Sequence, residues 1–290
     1  MDTITHTLFG LTAYSAVNKD QKSKKEKHAL LFTAIAGSNI PDIDVIMRVT
    51  EIGRIMDLMW HRGITHSLLM IPIWTLLLIW LCSSIWKVKS KAINFLTFFS
   101  VSLHVLSDVL NTWGTGLLEP FSSIRISLGI ISIIDFVIWG LIMLGFILSY
   151  LFKSIISRSK VFKFVWVGIA IHITFQGMLG YRVYQSSITN YDEVVLRAEF
   201  IPWHFTVIGR KEETVELSSV SIFRERQMTH TLISDTNADL QWLFKQNPKA
   251  KVLMEWAPFV IIKDSNDQIG IYDPRFFMDG ESFLYESAKK

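Results

Sequence analysis

Apolar runs separated by short basic interruptions fill the first 181 residues of this chain, and after Tyr181 the pattern changes to short alternating segments. Leu68 to Trp86, Ala92 to Leu110, Leu128 to Phe152 and Val165 to about Tyr181 each read as membrane-spanning helices, because about 20 apolar helical residues cover the ~30 Å hydrocarbon core. Asp2 to Val17 and Ala29 to Ala36 are apolar but shorter. About 15 helical residues rise only ~22 Å, so these two are expected as thin, tilted or half-embedded helices. The pattern therefore predicts about four spans and up to roughly six. Between the second short helix and the first full span, Pro41 disfavours helix at Ile40. Asn39 to Asp44 is accordingly expected as irregular or extended chain, in which Asp42 and Asp44 point the same way.

Beyond Tyr181, residues 193–200, 203–210, 214–223 and 251–263 are rich in β-branched and aromatic residues and read as strands. Residues 235–244 read as a helix capped by Asp235 or Thr236. The expected fold is mainly α: a polytopic helical membrane protein, residues 1–181, with a small C-terminal α+β domain outside the membrane, residues 182–290. The basic interruptions around Lys22, Lys89 and Arg158 supply an orientation, since cytoplasmic loops carry the excess of Lys and Arg. All three then lie on the cytoplasmic side, and His6, Asp42, Asp44, His61, His66, His104 and Asp108 fall at the opposite ends of their segments, near one leaflet.

Composition agrees with a membrane protein: half of the 290 residues are hydrophobic, including 20 Phe and 10 Trp, and the mean hydropathy is +0.33. A net charge of +3, with the Lys runs placed between apolar segments, gives no footprint for nucleic acid. Cys82 is the single cysteine, so neither a disulfide framework nor a cysteine metal site is available. The N-terminus lacks a basic n-region and a small-residue cleavage site, and reads as retained.

Candidate chemistry concentrates in four places. His104 and Asp108, at i and i+4 on an apolar helix, share one face and are able to hold a metal between an imidazole and a carboxylate. A hydrogen-bonded pair tying helices together is the structural alternative. Asp42 and Asp44 repel one another unless a cation lies between them. His61-Arg62-Gly63-Ile64-Thr65-His66-Ser67 sits at the mouth of a span, where polar residues are costly unless they bind something. Gly63 is expected to break the helix there, and Thr65 to cap the one that follows. His6 lies in the first helical turn. This nitrogen and oxygen set suits Zn²⁺, Mn²⁺ or Fe²⁺.

Met1-Asp2 with Thr5-His6, Pro41-Asp42-Ile43-Asp44, His61 to Ser67, His104 with Asp108, Trp113-Gly114-Thr115, Pro120-Phe121 and Ile133-Ile134-Asp135 occur in this order and spacing. On these motifs, over roughly residues 1–140, the chain resembles the membrane-bound metal-dependent hydrolases, a family that includes LexA-regulated inner-membrane proteins. Phe136 departs from the resemblance, since the family usually has proline after the aspartate. The likeness implies a hydrolase in the bacterial inner membrane. His6, Asp42, Asp44, His66, His104 and Asp108 are the expected metal ligands, holding one or two divalent ions, with zinc first. His61 is expected as a further ligand or as the general acid, and Arg62 as a clamp for a phosphate oxygen. An interfacial arginine snorkelling to headgroups is the bland reading of Arg62. Asp135 is expected to orient a ligand histidine, and Thr65 to hydrogen-bond a site residue.

The expected substrate is a phosphoester of a lipid or lipid-linked molecule at the membrane face. A metal-ion transporter, or a non-catalytic membrane scaffold with a structural metal, uses the same residue types. The charge pattern makes one checkable prediction. Protease added outside spheroplasts digests residues 182–290, whereas a tail protected until lysis reverses the orientation.

Overall fold

The computed structural model describes residues 1–290 and is mostly helical, with a β-sheet region toward the C-terminus. By contacts the chain separates into two units. The first comprises residues 1–44, 62–178 and 200–202, and the second residues 45–61, 179–199 and 203–290. The sequence boundary near Tyr181 lies close to the chain crossing at 178/179, but the segment 45–61 groups with the second unit.

In the first unit, α1 (Thr3–Ala16) begins at Asp2, whose carboxylate accepts from Ile4 N and Thr5 N. α2 (Lys24–Gly37) begins with a capping box between Ser23 and Glu26. α1 and α2 pack on each other and on α6 (Lys91–Val109). Their approach depends on small residues. A Cβ on Gly10 would lie 2.6 Å from the Ala34 carbonyl oxygen, and one on Gly37 would lie 3.1 Å from Ser100 Cβ. Membrane helices associate through such close contacts because lipid offers no hydrophobic contrast.

Asn39 to Asp44 is neither irregular nor extended: Ile40–Val49 forms a 3-10 helix. Pro41 is tolerated because it stands in the first turn, where its missing N–H is not needed, and Asp42 N donates to Asn39 O at 3.1 Å. In the second unit this segment continues into two short helices, α3 (Glu51–Ile55) and α4 (Asp57–Trp60).

The chain re-enters the first unit at Arg62 and builds α5 (Met70–Trp86), which packs on α2 and α6. Thr65 does not cap α5; it lies in a separate 3-10 turn, Ile64–His66. The third span is shorter than its apolar run. α7 (Phe136–Leu151) starts where the Asp135 carboxylate accepts from Val137 N and Ile138 N. Residues 128–131 are instead committed to the end of α6, with Leu128 N donating to Val109 O and Ile130 N and Ile131 N to Leu110 O. They satisfy carbonyls that a helix C-terminus leaves unpaired. α8 (Arg158–Ser187) follows, and its last turns belong to the second unit.

By length and composition α6 and α8 are able to cross a membrane, and up to four spans result if each of two bent helix pairs is one span. α5 and α7, at 17 and 16 residues, rise only about 25 Å, short of the ~30 Å core. At the end of the bundle where α1 stops, Lys19 Nζ donates to Tyr14 O and Val17 O, and Arg158 donates to Ser15 Oγ. Burial and the Arg158 guanidinium beside it lower the Lys19 ammonium, in the α1–α2 loop, to about 8.

The second unit carries an antiparallel meander of β1 (Glu193–Ala198), β2 (His204–Lys211), β3 (Thr214–Ser221) and β4 (Arg224–Ile233). Residues 251–263 are not one strand. Asn247 caps α10 (Pro248–Trp256), which follows α9 (Leu240–Gln246), and β5 covers only Ile261–Asp264. β5 pairs with β6 (Gln268–Tyr272) and β6 with β9 (Tyr285–Lys289), while β7 (Phe277–Met278) pairs with β8 (Glu281–Ser282). Ile208, Leu217, Ile261 and Tyr272 join the sheets in one core.

The close approach at Gly10 makes a prediction. Gly10→Val forces α1 from α2 and lowers stability by about 1–3 kcal/mol, as overpacking typically does. Gly140, where an added Cβ meets nothing within 4 Å, accepts Ala without that loss. Thermal unfolding in detergent compares the two.

Candidate metal centre

Four elements of the first unit deliver polar side chains to one place. α6 supplies His104 and Asp108 from its last turns, the i, i+4 spacing stacking them on one face. The 3-10 helix after α2 supplies Asp42 and Asp44, the turn before α5 supplies Thr65 and His66, and the first turn of α1 supplies His6. His6, His66, His104 and Asp108 are at most 1% exposed, while the Asp42 side chain retains 18%.

One ligand atom each from Asp42, His66, His104 and Asp108 lies within 4.8 Å of the other three. Asp42 Oδ1 is 3.3 Å from His66 Nε2 and 3.6 Å from His104 Nε2; Asp108 Oδ2 is 3.5 and 3.8 Å from the same two nitrogens. The two Nε2 atoms are 3.1 Å apart.

The hydrogen-bond network assigns the protons. His104 Nδ1 lies 2.7 Å from the Ser38 carbonyl oxygen, which only accepts, so Nδ1 carries the hydrogen. Thr65 donates its one hydroxyl hydrogen to Asp44 Oδ2 at 2.8 Å, so its lone pair accepts from His66 Nδ1 at 2.9 Å. When both rings are neutral, each turns an unprotonated Nε2 toward the other and toward two carboxylates. Electron pairs facing one another in a buried space repel unless a cation stands among them. Imidazoles whose second nitrogen is tied to a carbonyl or a carboxylate relay have the arrangement typical of metal-ligating histidine. The residues present thus fit a divalent cation, with Asp42, His66, His104 and Asp108 to hold it.

Asp44 differs from the other expected ligands. Its Oδ2 accepts from Thr65 Oγ1 and, at 3.1 Å, from Arg62 N, and it reaches His66 on the Nδ1 side at 3.5 Å, so it orients the ring from behind. His6 stacks on His104 with ring centroids 3.8 Å apart, and its Nε2 approaches the other oxygen of Asp108, Oδ1, at 3.2 Å. The Met1 amino group also meets Asp108 Oδ1.

Arg62 is buried rather than turned toward water. Its Nη1 donates to Asn111 Oδ1 at 2.9 Å and its Nη2 to Met1 O at 3.0 Å, while Nε lies 3.3 Å from Asp108 Oδ2. With both terminal nitrogens in use, the guanidinium balances Asp108 and is not a free clamp. Arg62, at φ 58°, shares the helix break expected at Gly63, which has φ −83° and ψ −132°; Gly116 N holds the Arg62 carbonyl at 2.8 Å. Non-glycine residues adopt this backbone region only where their surroundings fix it, commonly at functional sites.

Asp135 does not reach a ligand histidine. It accepts from His172 at 2.9 Å and caps α7, one buried carboxylate serving a helix start and a neighbouring helix. His61 closes α4 in the second unit, its N–H donating to Asp57 O. Sequence reasoning missed Ser38 and Asn111. Asn111, three residues after Asp108, has a helical spacing that points to it, whereas a backbone carbonyl such as that of Ser38 leaves no mark in a sequence.

An apolar helical bundle with a buried His and Asp cluster at one end defines a membrane protein with a candidate cation site. The chain belongs to the YdjM inner membrane protein family, whose model matches residues 1–184 and so includes every residue of the cluster. Over 143 residues the chain is 29% identical to the uncharacterized protein YfhP of Bacillus subtilis (strain 168), an alignment covering 47% of this chain and 42% of YfhP. The chain thus spans less than half the length of that relative. No solved structure matches.

The relay from Asp44 through Thr65 to His66 is directly testable. Thr65→Val weakens zinc binding by about 10–100-fold, the usual cost of removing a group that orients a metal ligand, and Thr65→Ser stays near wild type. Calorimetric titration of the purified protein reads both. Equal affinity in Thr65→Val would remove the relay from the account.

Proposed function

We propose that this inner membrane protein is a metal-dependent hydrolase acting on a phosphoester of a lipid or lipid-linked molecule at the membrane face. The observation that carries the reading is the convergence of two imidazole Nε2 atoms with Asp42 Oδ1 and Asp108 Oδ2. Three carboxylates there face one guanidinium and one terminal amino group, a net negative charge that attracts a cation. Zinc suits these nitrogen and oxygen donors best, and manganese or iron(II) also fit. Such an ion, when bound, supplies Lewis acidity and lowers the pKa of water toward neutrality.

The chain's own groups do the rest. Ser38 O and Thr65 fix the two ring tautomers, and Arg62 holds Asp108 ionised in a buried setting. Asp42 is the most exposed of the four residues, so substrate arrives on its side. Membrane composition and a site at helix ends favour a substrate whose scissile group stands at the bilayer surface. His61 precedes Arg62 in the chain, and general acid is its assigned role. Polytopic insertion with the basic loops in the cytoplasm and the C-terminal unit outside completes the reading; the presence of both Lys19 and Arg158 at the bundle end away from the site supports it.

One observation favours a second reading. Four ligands with only Asp42 partly exposed resemble the closed shell of a structural metal site, which is the scaffold alternative. Transport is less favoured, because such sites lie near the midplane on a path open to both sides, and here His6 and Asp108 stand at helix ends.

The experiment is a screen of purified zinc- or manganese-loaded protein against phosphoester lipids and lipid-linked phosphoesters. Phosphoester cleavage by wild type and none by His104→Ala is the expected outcome. His61→Ala keeps its metal and loses about 10²–10⁴-fold in kcat, the usual contribution of a general acid. Tight zinc binding with no turnover on any substrate class selects the scaffold instead.

A further inference from the structure

At the end of the bundle away from the metal centre, α7 and α8 enclose an apolar groove of about 280 Å³ in the first unit. Leu144, Leu148, Phe152, Val161 and Phe164 line it, with Gly145 at its floor. The floor is fixed by packing: a Cβ on Gly145 would lie 2.5 Å from Val165 Cγ2. Gly145 thus lets α8 approach α7 closely beneath the groove. Leu144, Leu148, Phe152 and Phe164 stay substantially exposed, so no element of this chain fills it.

Lysines adjoin the lining residues in sequence. Lys153 follows Phe152, Lys160 precedes Val161 and Lys163 precedes Phe164, and all three lysines are exposed. On α8, Lys160 and Phe164 are four residues apart and share a face, so the charged and apolar parts of the groove are continuous. No Asp or Glu occurs between Asp135 and Asp192, and the cluster is uncompensated along this stretch of sequence. Arg158 is already engaged, with Ser15 and with the rings of Phe146 and Phe162.

We propose that this groove is a binding site for an anionic phospholipid, with an acyl chain between α7 and α8 and the headgroup phosphate on Lys153, Lys160 and Lys163. The charge complementarity selects the occupant. A second copy of the chain presenting another apolar helix has no use for three exposed lysines beside the lining residues, of which Lys153 also lies 5.8 Å from the centroid of the Tyr150 ring, and a zwitterionic lipid gains little from them. Basic residues between membrane helices at the level of the headgroups are the usual recognition device for anionic lipids. The site lies apart from the metal centre and does not depend on the hydrolase reading.

Native mass spectrometry of the detergent-purified full chain, titrated with phosphatidylglycerol or phosphatidylcholine of the same acyl length, tests the proposal. Phosphatidylglycerol binds at least ~10-fold more tightly than phosphatidylcholine, and a Lys153→Gln/Lys160→Gln/Lys163→Gln variant loses that preference. Leu148→Trp fills the groove and weakens phosphatidylglycerol binding while the lysines remain. Unchanged thermal unfolding of both variants shows that they fold. Three results overturn the proposal: equal binding of the two lipids by wild type, a preference that survives loss of the lysines, or a chain dimer that excludes lipid and dissociates in Leu148→Trp.

Discussion

Two imidazole nitrogens 3.1 Å apart, both beside the buried carboxylate of Asp108, are the constraint on which the first unit depends. Burying one carboxylate is costly unless it is paired and hydrogen-bonded. Here the surrounding chain is organised to meet that cost. Arg62 abandons ordinary backbone geometry to place its amide on Asp44 and its side chain on Asp108, Asn111 and Met1. The 111–131 segment turns back to pair with α6 and with Arg62 O instead of lengthening α7. These departures from regular structure fall around the same few polar atoms, as expected where backbone strain and buried charge serve a site.

The bundle's small residues belong to the same logic. Gly10 lets α1 approach α2, and Gly37 lets α2 approach α6. That closeness brings His6 onto His104 and the Ser38 carbonyl onto His104 Nδ1. A looser bundle leaves His104 free to present either tautomer. Packing at the centre of the helices and proton position at their end are therefore one property, linked through α6.

Much of this was legible in the sequence, and the failures have physical causes. The i, i+4 spacing located His104 and Asp108 on one face, and apolar runs placed α5 and α6 to within two residues at either end. The start of α7 was misplaced because hydropathy does not register that residues 128–131 hydrogen-bond the end of α6. Arg62 was expected as a clamp for a phosphate oxygen because its planar fork suits that geometry, but burial is decided by partners distant in sequence, Asp108 and Asn111. Asp135 was matched with a ligand histidine; its actual partner, His172, lies on α8, and no local pattern connects the two. In the second unit, the cap at Asn247 with Pro248 signalled a helix that the β-branched content of the following residues obscured.

The central claim is that a divalent cation sits among Asp42, His66, His104 and Asp108. Zinc K-edge X-ray absorption of the zinc-loaded protein measures that arrangement without need of a substrate. The account predicts a shell of nitrogen and oxygen donors at about 2.0–2.2 Å, with the outer-shell scattering of two imidazoles and no sulfur at ~2.3 Å. A spectrum without imidazole scattering, or zinc that washes off the wild-type protein, contradicts it.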